Sequence, residues 1–265
     1  MKSAFRIDHI VIMVGDLAAA MEDYATLGFT VLPGGTHEDN PTHNALVVFE
    51  DGAYLELIAL RTGAEGGMSE RLRKWHRASP GLVDFALLPG DIEADIAAAR
   101  ARGLTIEDAQ PGGRLRPDGQ RIAWKTANLK GGGLPFFCAD LTPRSLRVPE
   151  GSARSHANGV AGVAEITVAV ADLAASLGQY RALLGLEPQP ASTDELSGVQ
   201  KASFDLGETI ITLIQPVRPA SPLPAYLAAG GERPYSLSLH AGQGATPGDL
   251  DLKRTHGARI RLAGP

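Results

Sequence analysis

The chain has 265 residues and 27.8 kDa, with 44% hydrophobic and 21% charged side chains, proportions that exclude global disorder and allow a sizeable core. Its formal net charge of −5 argues against the basic face that a nucleic acid or an anionic membrane would need, and no run of 18 apolar residues is present to span one. A single cysteine, Cys138, and an N-terminus without the apolar core of a signal peptide predict a cytoplasmic protein with no internal disulfide.

Taken in chain order, the elements repeat. A β-branched run around Asp8-His9-Ile10-Val11-Ile12-Met13-Val14 predicts a strand, Asp16 an N-cap, the Ala-rich stretch after it a helix, and Gly28 its left-handed end. Strands follow over 42–50 and 53–60, joined by the hairpin signal Asp51-Gly52. An extra helix is expected over 68–78, anchored by Trp75. The pattern then returns from Val83-Asp84-Phe85 through the Asp91 cap to Gly103, with strands over 122–126 and 134–139. A stretch over 142–159, with prolines and mixed charge, reads as a linker. Ala164-Glu165-Ile166-Thr167-Val168 opens the third copy at an offset of about 156 positions from the first, carrying Asp172, Tyr180 and Gly185 where the first has Asp16, Tyr24 and Gly28. Strands over 200–206 and 209–215 complete it, and a fourth copy starts at 235–240 and stops short. Each copy is a β-α-β-β-β unit. The predicted fold is α+β, with tandem units pairing into cup-shaped mixed sheets. A first domain over 1–141 holds the site, 142–159 links, and 160–265 forms a second, incomplete and mainly structural domain.

Tandem units of this kind resemble the vicinal oxygen chelate superfamily, which includes glyoxalase I, extradiol ring-cleaving dioxygenases and bleomycin-resistance proteins. The resemblance is carried by Ile7-Asp8-His9-Ile10-Val11 on the first strand, Tyr54-Leu55-Glu56-Leu57 on the last, and the loop Gly34-Gly35-Thr36-His37 with Thr42-His43-Asn44-Ala45. His156-Ala157-Asn158-Gly159 resembles the turn that introduces the next unit in the glyoxalase-like family. The resemblance implies metal ligands on the first and last strands of each unit. Carried over, these are His9 and Glu56, with Asp84 as a third, whereas the fourth position falls on Phe136 or Phe137. One imidazole and two carboxylates favour a divalent ion such as Mn, Fe, Ni or Zn in an open site, and the missing fourth ligand leaves a metal-free cup as the other reading.

Without a metal, Glu56 is the best general base, its pKa expected to rise in a partly buried, apolar setting, with His9 as its catalytic neighbour. Asn44 is an orienting amide, and His37, His43, Phe136 and Phe137 are the expected substrate-binding side chains. In the second half Glu165 occupies the His9 position, and Ile211 or Thr212 the Glu56 position, with His240 nearby. Cys138 reads as an inert core thiol and Gly131-Gly132-Gly133 as a hairpin turn. Three functions fit: isomerase or lyase chemistry through an enolate of a small, oxygenated, partly hydrophobic molecule; sequestration of such a molecule without chemistry; and ring-cleaving dioxygenation, which lacks its usual two-histidine, one-carboxylate set here. Exposed sheet edges in the truncated unit make a homodimer a further expectation.

Overall fold

Each of the three long repeat helices begins where an aspartate satisfies the free amides of its first turn. Asp16 Oδ1 accepts from the amides of Ala18 (2.9 Å) and Ala19 (3.1 Å), Asp91 from Ala94 (3.0 Å) and Asp172 from Ala175 (3.0 Å). Such caps contribute about 1 kcal/mol each. The computed structural model describes residues 5–38, 40–63, 68–78, 80–218, 221–242 and 245–264. The first unit comprises β1 (Arg6–Met13), α1 (Leu17–Thr26), β2 (Leu32–His37), β3 (Thr42–Val48) and β4 (Tyr54–Leu60). After α2 (Glu70–Ala78), the second unit comprises β5 (Gly81–Leu88), α3 (Ile92–Ala101), β6 (Gln110–Leu115), β7 (Arg121–Ala127) and β8 (Phe136–Asp140).

These eight strands close into a barrel in the order β1-β4-β3-β2-β6-β7-β8-β5. β1 pairs in parallel with β4 and antiparallel with β5, and the second seam joins β2 to β6 through Thr36 opposite Leu115 and His37 opposite Arg114. The double glycine answers to both neighbours of β2, the β6 seam at Gly35 and β3 at Gly34. A Cβ on Gly35, whose φ is 137°, would overlap the Leu115 carbonyl oxygen, and one on Gly34 would overlap the Asn44 side chain. Only glycine lets β2 approach β6 closely enough to shut the barrel.

The segment over 142–159, expected to be a linker, is packed onto the first barrel. Its short helix α4 (Arg144–Arg147) buries Arg147 against the strands, and His156 sits between Phe29 and Phe49 while its Nε2 meets the Val48 carbonyl at 3.0 Å.

The remaining strands are β9 (Val160–Ala169), β10 (Ser192–Asp194), β11 (Val199–Asp205), β12 (Ile210–Pro216), β13 (Arg233–Ala241), β14 (Gly248–Asp249) and β15 (Ile260–Ala263), with α5 (Leu173–Leu184) and α6 (Leu223–Gly230) among them. They form an open sheet, β10-β11-β12-β9-β13-β15-β14. Among the described residues between β13 and β15, turns and the two-residue β14 stand where the other units carry a helix. Both halves share one core, in which Ile10, Ile12 and Phe85 are buried together with Val163, Ile166 and Leu237. The repeated tyrosines sew this core together. Tyr24 donates to the Thr255 carbonyl (3.2 Å) and Tyr180 to the Gly133 carbonyl (2.6 Å), each reaching into the opposite half. Among the described residues no helix is long and apolar enough to cross a membrane.

Candidate active site

The barrel encloses a cavity of about 900 Å³. Its polar centre is built on β1 and β4. A register shift between Ile7 and His9 places a bulge at Asp8. In a regular strand adjacent side chains point to opposite faces, but at the bulge the two meet, with Asp8 Oδ2 2.6 Å from His9 Nδ1. The imidazole is further fixed by stacking on Tyr54 at 4.8 Å and by the edge of Phe136 at 5.3 Å.

Glu56 stands opposite. Its Oε1 accepts from Asn44 Nδ2 at 2.6 Å and lies 3.5 Å from His37 Nε2, while its Oε2 lies 3.5 Å from His9 Nε2. His37 is itself held through Nδ1 by the Thr42 hydroxyl at 2.9 Å. Four of the expected site residues are therefore brought together: His9, Glu56, Asn44 and His37.

A buried charge network supports Asp8. Arg147 donates to Asp8 Oδ2 (2.7 Å) and Oδ1 (3.0 Å) and also bonds Asp140 and the Tyr54 hydroxyl; Arg144 adds a bond to Asp8 Oδ1 at 2.6 Å. Burial alone would raise the Asp8 pKa, but the Arg147 charge and the His9 and Arg147 hydrogen bonds hold it well below the usual carboxylate range. An ionised Asp8 can only accept, so the proton between it and His9 sits on Nδ1 and leaves Nε2 with a lone pair when the ring is neutral. For Glu56 the balance runs the same way. Burial pushes its pKa up, yet the charges of His9 and His37 in their protonated forms, the Asn44 amide and Arg114 together bring it below the ordinary value. This corrects the expectation of a raised Glu56 pKa: its polar neighbours outweigh the apolar wall.

The other expected residues divide. Phe136 faces the cavity at the position matching Glu56, because Val11 pairs with Glu56 in one unit and Ala86 with Phe136 in the other. Phe137 points the other way, into the shared core, stacked on Phe5 at 5.3 Å. His43 lies between Thr42 and Asn44 on β3, whose side chains line the cavity, so strand alternation turns it outward. Asp84 lines the cavity but is engaged elsewhere. Its Oδ2 accepts from Arg71 (2.9 and 3.2 Å) and Trp75 Nε1 (3.0 Å), and its Oδ1 from the Phe85 amide (2.8 Å). In the second half the Glu56 position falls on Thr212, bonded to Ser203 at 2.8 Å, and His240 is exposed against the Glu208 carbonyl at 3.2 Å rather than joined to Glu165.

The divalent metal that the resemblance implies was tested against these donors. Among the described residues, Asp8, His9 and Cys138 place three donor atoms within 4.8 Å of one another. They do not fit a cation. Both oxygens of Asp8 are taken by guanidinium groups whose charge repels one, and burial pushes the Cys138 thiol up, away from the thiolate a metal requires. His9, His37 and Glu56 supply three donors in the cavity itself, but among the described residues the three do not converge within 4.8 Å of one another, Asp84 is held by Arg71 and Trp75, and Phe136 supplies none. The site's chemistry follows from its side chains.

Three functional side chains went unseen in the sequence. Arg144 and Arg147 were hidden in the apparent linker, signalled only by their i,i+3 spacing. Arg114 follows Pro111-Gly112-Gly113, which repeats Pro33-Gly34-Gly35, a signal that would have marked β6 as the partner of β2.

Comparison with solved structures places this architecture among known ones. A hypothetical protein from Staphylococcus aureus matches 98% of this chain and 100% of its own, with a TM-score of 0.75 at 13% identity. A mutant 4-hydroxymandelate synthase from Streptomyces coelicolor matches 92% of this chain and 72% of its own, with a TM-score of 0.66 at 16% identity. At these identities the likeness is one of fold. No protein of curated function matches the chain. The model of the family described as a glyoxalase-like domain matches residues 7–184, and the chain, with its tandem β-α-β-β-β units, belongs to that family.

Proposed function

We propose that the protein is an enzyme that removes a proton from carbon next to a carbonyl in a small, partly hydrophobic molecule, giving isomerase or lyase chemistry through an enolate. The observation that carries this reading is the line Asp8–His9–Glu56 across a large cavity, with His9 Nε2 and Glu56 Oε2 separated by 3.5 Å. His9 Nε2 is the base. It takes the proton as the C–H electron pair passes into the enolate, and the imidazolium formed lies between two carboxylates, Asp8 behind and Glu56 in front. The lowered Glu56 pKa suits this role: a carboxylate that stays ionised stabilises the imidazolium better than it accepts a proton itself. Return of the proton to a different atom or face completes an isomerisation, and loss of a leaving group from the enolate completes an elimination. Tyr54, Trp124 and Phe136 supply the apolar walls.

The test is exchange of substrate α-hydrogens with deuterated solvent, followed by proton NMR across a panel of small α-hydroxy and α-keto carbonyl compounds. Wild-type protein is expected to exchange at least one member, and His9→Gln to lose about 10²–10⁴-fold of that rate. The second reading, a sequestering protein, is favoured by the apolar Phe136 at the position matching Glu56. It requires saturable binding with no exchange of any compound that binds.

A further inference from the structure

Arg114 is 3% exposed, lines the cavity, and among the described residues makes no hydrogen bond and no ion pair. Every other buried or half-buried arginine of the barrel interior is committed: Arg147 to Asp8 and Asp140, Arg71 to Asp84 and Asn128. Arg114 sits on β6 opposite His37 across the β2–β6 seam, so the two side chains share the inner face. Glu56 acts on it only at a distance, beyond ion-pair range. A buried guanidinium without a partner is costly, and a cavity that keeps one is shaped for the group that completes it.

We propose that Arg114 receives the carboxylate of the ligand, and that the protein therefore acts on small carboxylic acids with an aryl or branched alkyl body. The planar fork of a guanidinium matches the two oxygens of a carboxylate. Among the described residues Arg114 is the buried guanidinium of the lining that has no partner, and it stands with the carboxylates of Glu56 and Asp84, which suits a monoanion. From Arg114 the body of the ligand runs past the faces of Trp124, Tyr54 and Phe136 toward His9 and Glu56. Lys74, Arg77 and Lys130, exposed where the cavity opens, draw anions inward.

This inference rests on the functional reading above only for the position of the site, and its test reads binding rather than turnover. The two tryptophans of the chain, Trp75 and Trp124, both line the cavity, so intrinsic fluorescence reports its occupancy. The experiment titrates 3-phenylpropionate and its neutral analogue 3-phenylpropanamide into wild-type, Arg114→Gln and Arg114→Lys proteins. The wild type is expected to favour the acid by about 10- to 100-fold, the range of a charge-assisted pair. Arg114→Gln is expected to abolish that preference, and Arg114→Lys to retain part of it. Equal affinity for acid and amide in the wild type, no saturable quenching by the acid, or a preference that survives in Arg114→Gln would each overturn the assignment. The wild-type comparison decides the matter even if a variant fails to fold. Acid preference with no hydrogen exchange would sink the enzymatic reading alone, and exchange with no acid preference would sink this one alone.

Discussion

Replacing Asp8 by Asn should damage stability and chemistry together, because one buried carboxylate serves both. Asp8 is fully buried, and its charge balances Arg147, which is 3% exposed, and part of Arg144. Removing one member of a buried ion pair costs about 3–5 kcal/mol when the other is stranded. Here Asp140 still pairs with Arg147 Nε and Nη2, so a cost at or just below the lower end, about 2–3 kcal/mol, is expected. For a chain of this size that lowers the melting temperature by roughly 5–10 °C. The pH dependence has a defined sign. A carboxylate whose folded pKa is depressed contributes stability that is present above its unfolded pKa and lost as pH falls through the folded one. Wild-type protein should therefore lose stability on acidification below about pH 4, and the variant should lack that part of the slope. In the chemistry, an Asn side chain can present its amide N–H to His9 Nδ1 and so favour the opposite tautomer, removing about 10³–10⁴-fold of the exchange rate. Thermal melts from pH 3 to pH 8 and the NMR exchange assay measure the two effects. A variant that melts within a degree of wild type and exchanges at an undiminished rate would refute the whole argument from the buried carboxylate.

Gly35→Ala should disrupt the β2–β6 seam, since its Cβ meets the Leu115 carbonyl in a left-handed backbone, and the soluble yield or the melting temperature should fall sharply. Native protein soaked in Mn, Fe, Ni or Zn and desalted should retain none of them stoichiometrically by elemental analysis; tight one-to-one retention would contradict the donor analysis. Cys138, buried and with its thiol pKa raised by burial, should resist a thiol reagent until the protein is denatured. Tyr180→Phe should cost about 1 kcal/mol by urea denaturation, for the hydrogen bond to Gly133 that joins the halves.

The repeat was legible because its signals are local. Aspartate caps, closing glycines and β-branched strands recur at fixed spacing, and each dictates its own few residues. The pair His9 and Glu56 was legible for the same reason, as one position on each of two neighbouring strands. What escaped depends on contacts between residues far apart in the chain. The outward turn of Phe137 and the inward turn of Phe136 differ by one step of strand register, which no composition reveals. The downward shift of Glu56 needs His37 and Arg114, which reach it only when β2 and β6 meet across the barrel seam. Asp84 looked like a ligand because Arg71 and Trp75, on the intervening helix, could not be placed over it from sequence. Arg147, 139 residues from Asp8, lay in a stretch whose prolines and mixed charge concealed a buried strut.

The central claim is that His9 presents an unprotonated Nε2 to the cavity because Asp8 holds the proton at Nδ1. A two-bond proton–nitrogen correlation spectrum of histidine-labelled protein reads this directly, with the His9 signals assigned by their loss in His9→Gln. Read on the neutral form of the ring, it should show His9 in the Nδ1–H tautomer in wild type and displaced from it in Asp8→Asn. A neutral His9 protonated at Nε2 in the wild type would leave the cavity without its base and contradict the account.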